Sequence, residues 1–304
     1  MDHPTSSTRG PAEQRRRAIL CVLAASATFT LGAAFIKALT EHVPVFEIVM
    51  VRSYVAFLAM VPVLWRAGGI SAMRTNRPWG HVLRTLYGFF GTFTTVYGFA
   101  YLPIVTVTAL GFAMPLFLTV LSVPLLGERV GWRRASAVVI GLAGVLIMLR
   151  PWDGFLDAAD DPLAVSLVLA GVVTWALAMI TIRKMGEAGE KNVTIVAWFT
   201  LGTAIMATIC AIPGWVTPSP IHFAMMIAAG IMSGVAQLLM TEGYRSGDTT
   251  VVAPFEYGAI VYATILGMML WGEYPDRWML LGIVILVGAG LYIWRREVTL
   301  GRRK

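Results

Sequence analysis

Apolar runs of bilayer-crossing length, separated by short polar stretches, dominate the pattern of this 304-residue chain. A membrane-spanning helix needs about 20 mostly apolar residues, and the runs recur at that length. They predict ten helices, at about 18–39, 45–65, 80–101, 104–126, 135–149, 163–182, 193–212, 221–241, 250–271 and 278–294. Between the fifth and sixth runs lie Asp153, Asp157, Asp160 and Asp161, which suit a solvated connection. The chain therefore divides into a polar tail at 1–17, a first five-helix unit at 18–150, a connecting loop at 151–162, a second five-helix unit at 163–294 and a tail at 295–304. The first run follows Arg15, Arg16 and Arg17 as a signal peptide would, but it exceeds the 7–15 residues of a signal-peptide core.

The most informative run is the ninth. Within 248–273 it carries Pro254, Glu256, Tyr257 and a closing Gly272 and Glu273. A charge at the middle of a membrane helix costs about 2.5–3.5 kcal/mol and usually faces protein or a water-filled cavity. A proline there frees a carbonyl that something else must satisfy. This run is expected to line a cavity around which the rest is built.

Composition agrees with a polytopic membrane protein: 57% hydrophobic and 13% charged, against about 25% charged in soluble domains. The net charge of +7 does not imply nucleic acid, because the charges lie in short loops between apolar runs. Cytoplasmic loops are enriched in Lys and Arg. With the N-terminus inside, 20 of the 24 Lys and Arg fall on inner segments; Lys37, Arg150 and Arg277 lie outside and Arg52 lies within the membrane. That asymmetry requires an even number of crossings and puts both termini in the cytoplasm. Cys21 and Cys210 both sit in apolar runs, which argues against a disulfide.

The two halves repeat one order of features. Pro115, then Gly127 and Glu128, then the glycine-bearing IGLAGVLIML answer Pro254, Gly272 and Glu273, and LGIVILVGAGLYI. Five helices separate the Gly-Glu pairs, so they fall on opposite faces. That is an inverted repeat, a plan in which secondary transporters hold substrate near mid-membrane. The fold class is all-α membrane protein, ten transmembrane helices as two inverted five-helix repeats around a central cavity. The proline lies 13 residues before the Glu in the first half (128 − 115) and 19 in the second (273 − 254), so site residues do not transfer between halves by symmetry.

These features, with Arg52 in MVRSYVAFLAM, resemble the EamA-type repeat of the drug/metabolite transporter superfamily, over about 18–294. Residues 254–282 are similar to a bacterial branch holding amino-acid exporters, an aromatic one among them, and S-adenosylmethionine carriers. The resemblance implies a bacterial inner-membrane secondary transporter exporting aromatic or apolar amino acids by alternating access. The alternative is a carrier of S-adenosylmethionine or of a cationic drug, with Glu256 as counter-charge. Its expected partners are the small-molecule substrate and the lipid bilayer, with no nucleic acid, and it is expected as a monomer or weak dimer.

Several residues carry paired readings. In helix 3, Arg84, Tyr87, Gly88, Gly91, Thr94, Thr95, Gly98 and Tyr101 share one face by i, i+3, i+4 spacing. This face either packs helices or walls the cavity. In helix 8, Gln237 is a substrate contact or an interhelical brace, and Tyr244 lies on the same face. Glu256 snorkels to the surface, binds a substrate ammonium or titrates a proton; Tyr257 is beside it. Arg52 attracts a substrate carboxylate or braces its helix, and Trp175 stacks on substrate or packs. Lys37 and Glu47 are solvated helix ends or gate the outer mouth, and Pro115 and Pro254 are structural. The four histidines have no metal-ligand spacing. No P-loop, GxSxG or HExxH occurs, so no cofactor, metal or catalytic residue is assigned and an enzyme is the weaker class.

Overall fold

The computed structural model describes residues 11–127, 132–150, 161–246 and 253–301. Its helices are α1 (Pro11–Thr40), α2 (Val45–Arg66), α3 (Pro78–Tyr101), α4 (Ile104–Gly111), α5 (Met114–Leu126), α6 (Trp132–Leu149), α7 (Pro162–Glu187), α8 (Asn192–Ala211), α9 (Pro220–Ser246), α10 (Gly258–Trp271) and α11 (Arg277–Gly301). Short 3₁₀ turns occupy Gly69–Met73, Ile212–Gly214 and Ala253–Tyr257. Prolines open α3, α7 and α9 and immediately precede α2 and α4. At those places the missing N–H costs no hydrogen bond. Asp161 caps α7 by accepting the Leu163 N–H at 2.9 Å.

Five segments, Arg16–Thr40, Val45–Arg66, Ile104–Leu126, Pro162–Glu187 and Asn192–Gly214, are long and apolar enough to cross a membrane among the described residues. Shorter apolar stretches lie in α6, α9, α10 and α11, and α3 completes the ten. The chain is thus a ten-helix membrane protein whose fourth and ninth crossings are each built from two pieces.

Those two crossings, expected at 104–126 and 250–271 and each holding a proline, are interrupted at defined places. In the fourth, α4 ends at Gly111 and α5 starts at Met114. Pro115 is the cause: its ring would meet the carbonyl four residues earlier, that of Gly111. In the ninth, the turn bearing Pro254 and Glu256 is 3₁₀, and regular helix begins only at Gly258. The ends also differ from expectation, since α1 starts at Pro11 rather than 18 and α11 runs to Gly301 rather than 294. Gly127 and Gly272 end α5 and α10 in the left-handed conformation at φ 69° and 67°, where a side chain would be strained.

Packing obeys the inverted repeat. Exchanging each crossing for its partner five later turns the α1–α9 contact into the α7–α3 contact. It maps the α2–α8, α6–α11 and α4–α10 contacts onto themselves. Among the most buried core residues are Leu39, Ile48, Leu102, Ile104, Leu110 and Leu116. At the outward edges, Leu58, Val139, Val261, Met269 and Val284 are exposed, as a lipid-facing surface requires. Trp65, Trp79 and Trp132 are exposed at the face carrying both chain ends, and Tyr101, Trp215 and Tyr274 at the opposite face. Such aromatic belts mark the two membrane–water boundaries.

Candidate functional site: the junction of two broken helices

The two interrupted crossings meet. Phe112 sits at the break between α4 and α5, and Tyr257 ends the 3₁₀ turn before α10. Their ring centroids are 4.7 Å apart with planes tilted by 33°. The Tyr257 hydroxyl lies over Gly290 of α11, where a Cβ would overlap it. Gly258 to Trp271 is 14 residues, about 21 Å of helix, so the junction is well inside a hydrocarbon layer of about 30 Å. Irregular backbone is tolerated at that depth where it is buried in protein or lines a cavity. Discontinuous helices at matching positions of two repeats point to a transporter's binding site. Glu256 is half-buried on the same turn as Tyr257.

Above this junction, on the face opposite the chain ends, a buried ion pair ties three elements together. Lys37 is 8% exposed. Its Nζ lies 2.8 Å from Glu273 Oε1 and donates to the Leu102 carbonyl at 2.7 Å. Glu273 Oε2 accepts the Ile104 N–H at 3.0 Å. The pair thereby joins the end of α1, the α3–α4 turn and the end of α10, with the Trp271 ring 5.4 Å from the ammonium. Glu47 is also buried, and its Oε1 accepts the Val216 N–H at 2.6 Å. Both residues are thus buried cross-links between segments, not solvated helix ends. Arg150 and Asp276, 2.7 Å apart at the same face, join α6 to the start of α11.

The α3 face separates into two functions. Gly91 lies beneath Trp175 of α7: a Cβ there would stand 2.6 Å from the indole. Thr94 fits against Gly171, and Gly98 against Val168. This stripe packs α3 on α7, and Thr95 spends its hydroxyl on the Gly91 carbonyl at 2.7 Å. Tyr87 instead lines a cleft of about 510 Å³ with Trp79, Leu83, Leu125, Thr181 and Lys184. That cleft opens between α3, α5 and α7 toward the face carrying the chain ends. Tyr101 lies at the other end of α3, 52% exposed, with its ring 4.6 Å from that of Tyr97.

Arg52 reaches from α2 to α9, where its Nε donates to Ser233 Oγ at 3.1 Å. Gln237 and Tyr244 lie on α9, and Pro254 on the 3₁₀ turn; their side chains are outside the described residues, as is Glu128. Among the described residues no cluster of His, Cys, Asp or Glu is placed to hold a metal ion. The structure therefore unites Tyr257 and Glu256 with Phe112. It places Tyr87, Gly91, Thr95 and Trp175 along the α3–α7 wall, and Lys37 in the ion pair at the opposite face. Sequence reasoning missed Phe112 and Glu273 as partners. An aromatic residue three positions before an intramembrane proline was the available signal for Phe112.

A profile of the EamA-like transporter family matches residues 16–150 and again residues 162–295. An S-adenosylmethionine uptake transporter of Rickettsia prowazekii is 28% identical over 267 residues, 88% of each chain. A riboflavin transporter of Rhizobium johnstonii is 33% identical, over 82% of this chain and 80% of that one. A pseudopaline exporter of Pseudomonas aeruginosa is 27% identical, over 92% and 96%. A solved crystal structure covering 92% of this chain and 98% of its own superposes with a TM-score of 0.63 at 21% identity, a likeness of fold.

Proposed function

The chain belongs to the EamA-like transporter family, and from that premise we propose that it is a secondary carrier of amino-acid-like solutes bearing an aromatic or heteroaromatic group. S-adenosylmethionine is the first substrate to test, and free aromatic amino acids are the second. The observation that carries this reading is the Phe112–Tyr257 contact at the two helix breaks, with Glu256 beside it. Aromatic faces suit a flat ring system. A single carboxylate suits an ammonium or sulfonium cation. Relatives named for S-adenosylmethionine uptake support the choice. The riboflavin relatives favour a flat heteroaromatic solute in general.

Transport proceeds by alternating access around that junction. The Lys37–Glu273 pair holds the far face shut while the α3–α5–α7 cleft lies open toward the chain ends. The membrane is the bacterial inner membrane, with the arginine-rich face and both termini in the cytoplasm, as the Lys and Arg distribution indicates.

The test is counterflow. Proteoliposomes preloaded with unlabelled S-adenosylmethionine, an amino-acid mixture or riboflavin are given the labelled solute. Saturable accumulation of S-adenosylmethionine or an aromatic amino acid supports the reading. Accumulation of riboflavin alone replaces the substrate class, and flux that neither saturates nor shows counterflow removes the carrier mechanism.

A further inference from the structure

Arg84 lies on the α3 wall and is 6% exposed. Its Nε and Nη1 are fully buried and have no hydrogen-bond partner. The side chain runs along α3 over Gly88, where a Cβ would overlap Nη1. Phe199 of α8 covers it with a ring centroid 3.8 Å from Cζ. Trp175 of α7 stands at 5.5 Å. The two rings meet edge-on at 6.2 Å, forming a corner around the cation.

The energies do not balance without an anion. Cation–π contacts offset only part of the cost of burying an unpaired ion. Thr203, one turn beyond Phe199 on α8, is 2% exposed, and its hydroxyl also lacks a partner. The guanidinium thus keeps two buried N–H groups without acceptors. Arg52 differs, because its Nε is spent on Ser233. Gly88 is ten residues along α3 from Pro78, about 15 Å, so the guanidinium lies near mid-membrane.

We propose that Arg84 is the recognition point for the carboxylate of the transported solute, with Trp175 and Phe199 as its aromatic walls. This rests on the carrier reading above and narrows its substrate class to solutes with a free carboxylate. A guanidinium matches a carboxylate through two parallel N–H···O bonds. One cation answers one negative charge, so the niche suits an amino-acid headgroup better than a polyphosphate.

The test measures thermal stabilisation of the purified full chain in detergent. The probes are phenylalanine, tryptophan and S-adenosylmethionine, each beside a form without the carboxylate: the two carboxamides and decarboxylated S-adenosylmethionine. The wild type is expected to respond to at least one acid at a concentration about tenfold or more below its carboxylate-free form, in line with a charged hydrogen bond. Arg84→Gln is expected to equalise that pair, and Arg84→Lys, which keeps charge but loses the fork, to lie between. Equal wild-type response to acid and carboxylate-free forms overturns the proposal and leaves the carrier reading standing. Preserved discrimination in Arg84→Gln also overturns it. Equal weakening of acid and carboxylate-free forms by Arg84→Lys identifies a structural brace and overturns it, even should Arg84→Gln not fold. A wild type that no probe stabilises sinks the proposed substrate class and this inference together.

Discussion

Phe112 and Tyr257, 145 residues apart in the chain (257 − 112), hold their rings 4.7 Å apart at the two places where membrane helices are interrupted. Each belongs to a different repeat. Their contact turns two local helix defects into one shared centre, and it joins the halves that an alternating-access carrier must move against each other.

Removing that contact should affect solute handling more than folding. Tyr257→Ala and Phe112→Ala are expected to weaken apparent affinity in counterflow by about tenfold, since an aromatic pair contributes about 0.5–1.5 kcal/mol beyond its buried area. Tyr257→Phe retains the ring and should stay near wild type. Full-affinity counterflow by both alanine variants contradicts a role at the site.

The Lys37–Glu273 pair should act as a unit. Truncating one partner of a buried pair leaves an uncompensated charge and costs about 3–5 kcal/mol. Lys37→Met and Glu273→Gln are therefore each expected to slow transport more than tenfold. The double variant should recover part of that loss, because no lone charge remains. Strictly additive losses, read from initial counterflow rates, count against coupling between the two.

Gly91 is a packing position. Its Cβ would stand 2.6 Å from the Trp175 indole, and overpacking costs about 1–3 kcal/mol. Gly91→Leu is expected to lower the detergent melting temperature by several degrees, whereas an unchanged melting curve places Gly91 away from the α3–α7 contact.

Outside the membrane, Glu190 clasps the loop before α3. It accepts from the Thr75 hydroxyl at 2.5 Å and the Asn76 N–H at 3.2 Å, and His81 lies 3.7 Å away. The Thr75 bond above all holds its carboxyl below the ordinary 4.5. A depressed carboxyl stabilises the fold above its unfolded value and loses that contribution as pH falls through the folded value. Glu190→Gln should therefore lower the melting temperature at pH 7, and the gap to wild type should narrow below pH of about 4.5. A gap that stays constant with pH denies the ionised form its role.

Much of this architecture is legible in the chain. Apolar run length marks the crossings, and the paired Gly-Glu endings mark the inverted repeat. The glycine face of α3 follows from helical spacing, although spacing does not tell packing from cavity; Trp175 over Gly91 does. Lys37 reads as a helix-end group because its partner Glu273 belongs to the last-but-one crossing. Pro115 and Pro254 announce an interruption in their crossings, but run length and hydropathy do not say where regular helix stops and resumes. Arg84 stands out only once Phe199 and Trp175 are seen to enclose it.

The most direct measurement of the site's location is substrate protection of a cysteine at Gly111, where a Cβ has nothing within 4 Å. Gly111→Cys would be made with Cys21 and Cys210 replaced by alanine, and labelled with a maleimide in membrane vesicles. A solute showing counterflow is expected to slow labelling at a concentration matching its half-saturation. Labelling at the same rate with and without that solute would place the site elsewhere than the Phe112–Tyr257 junction.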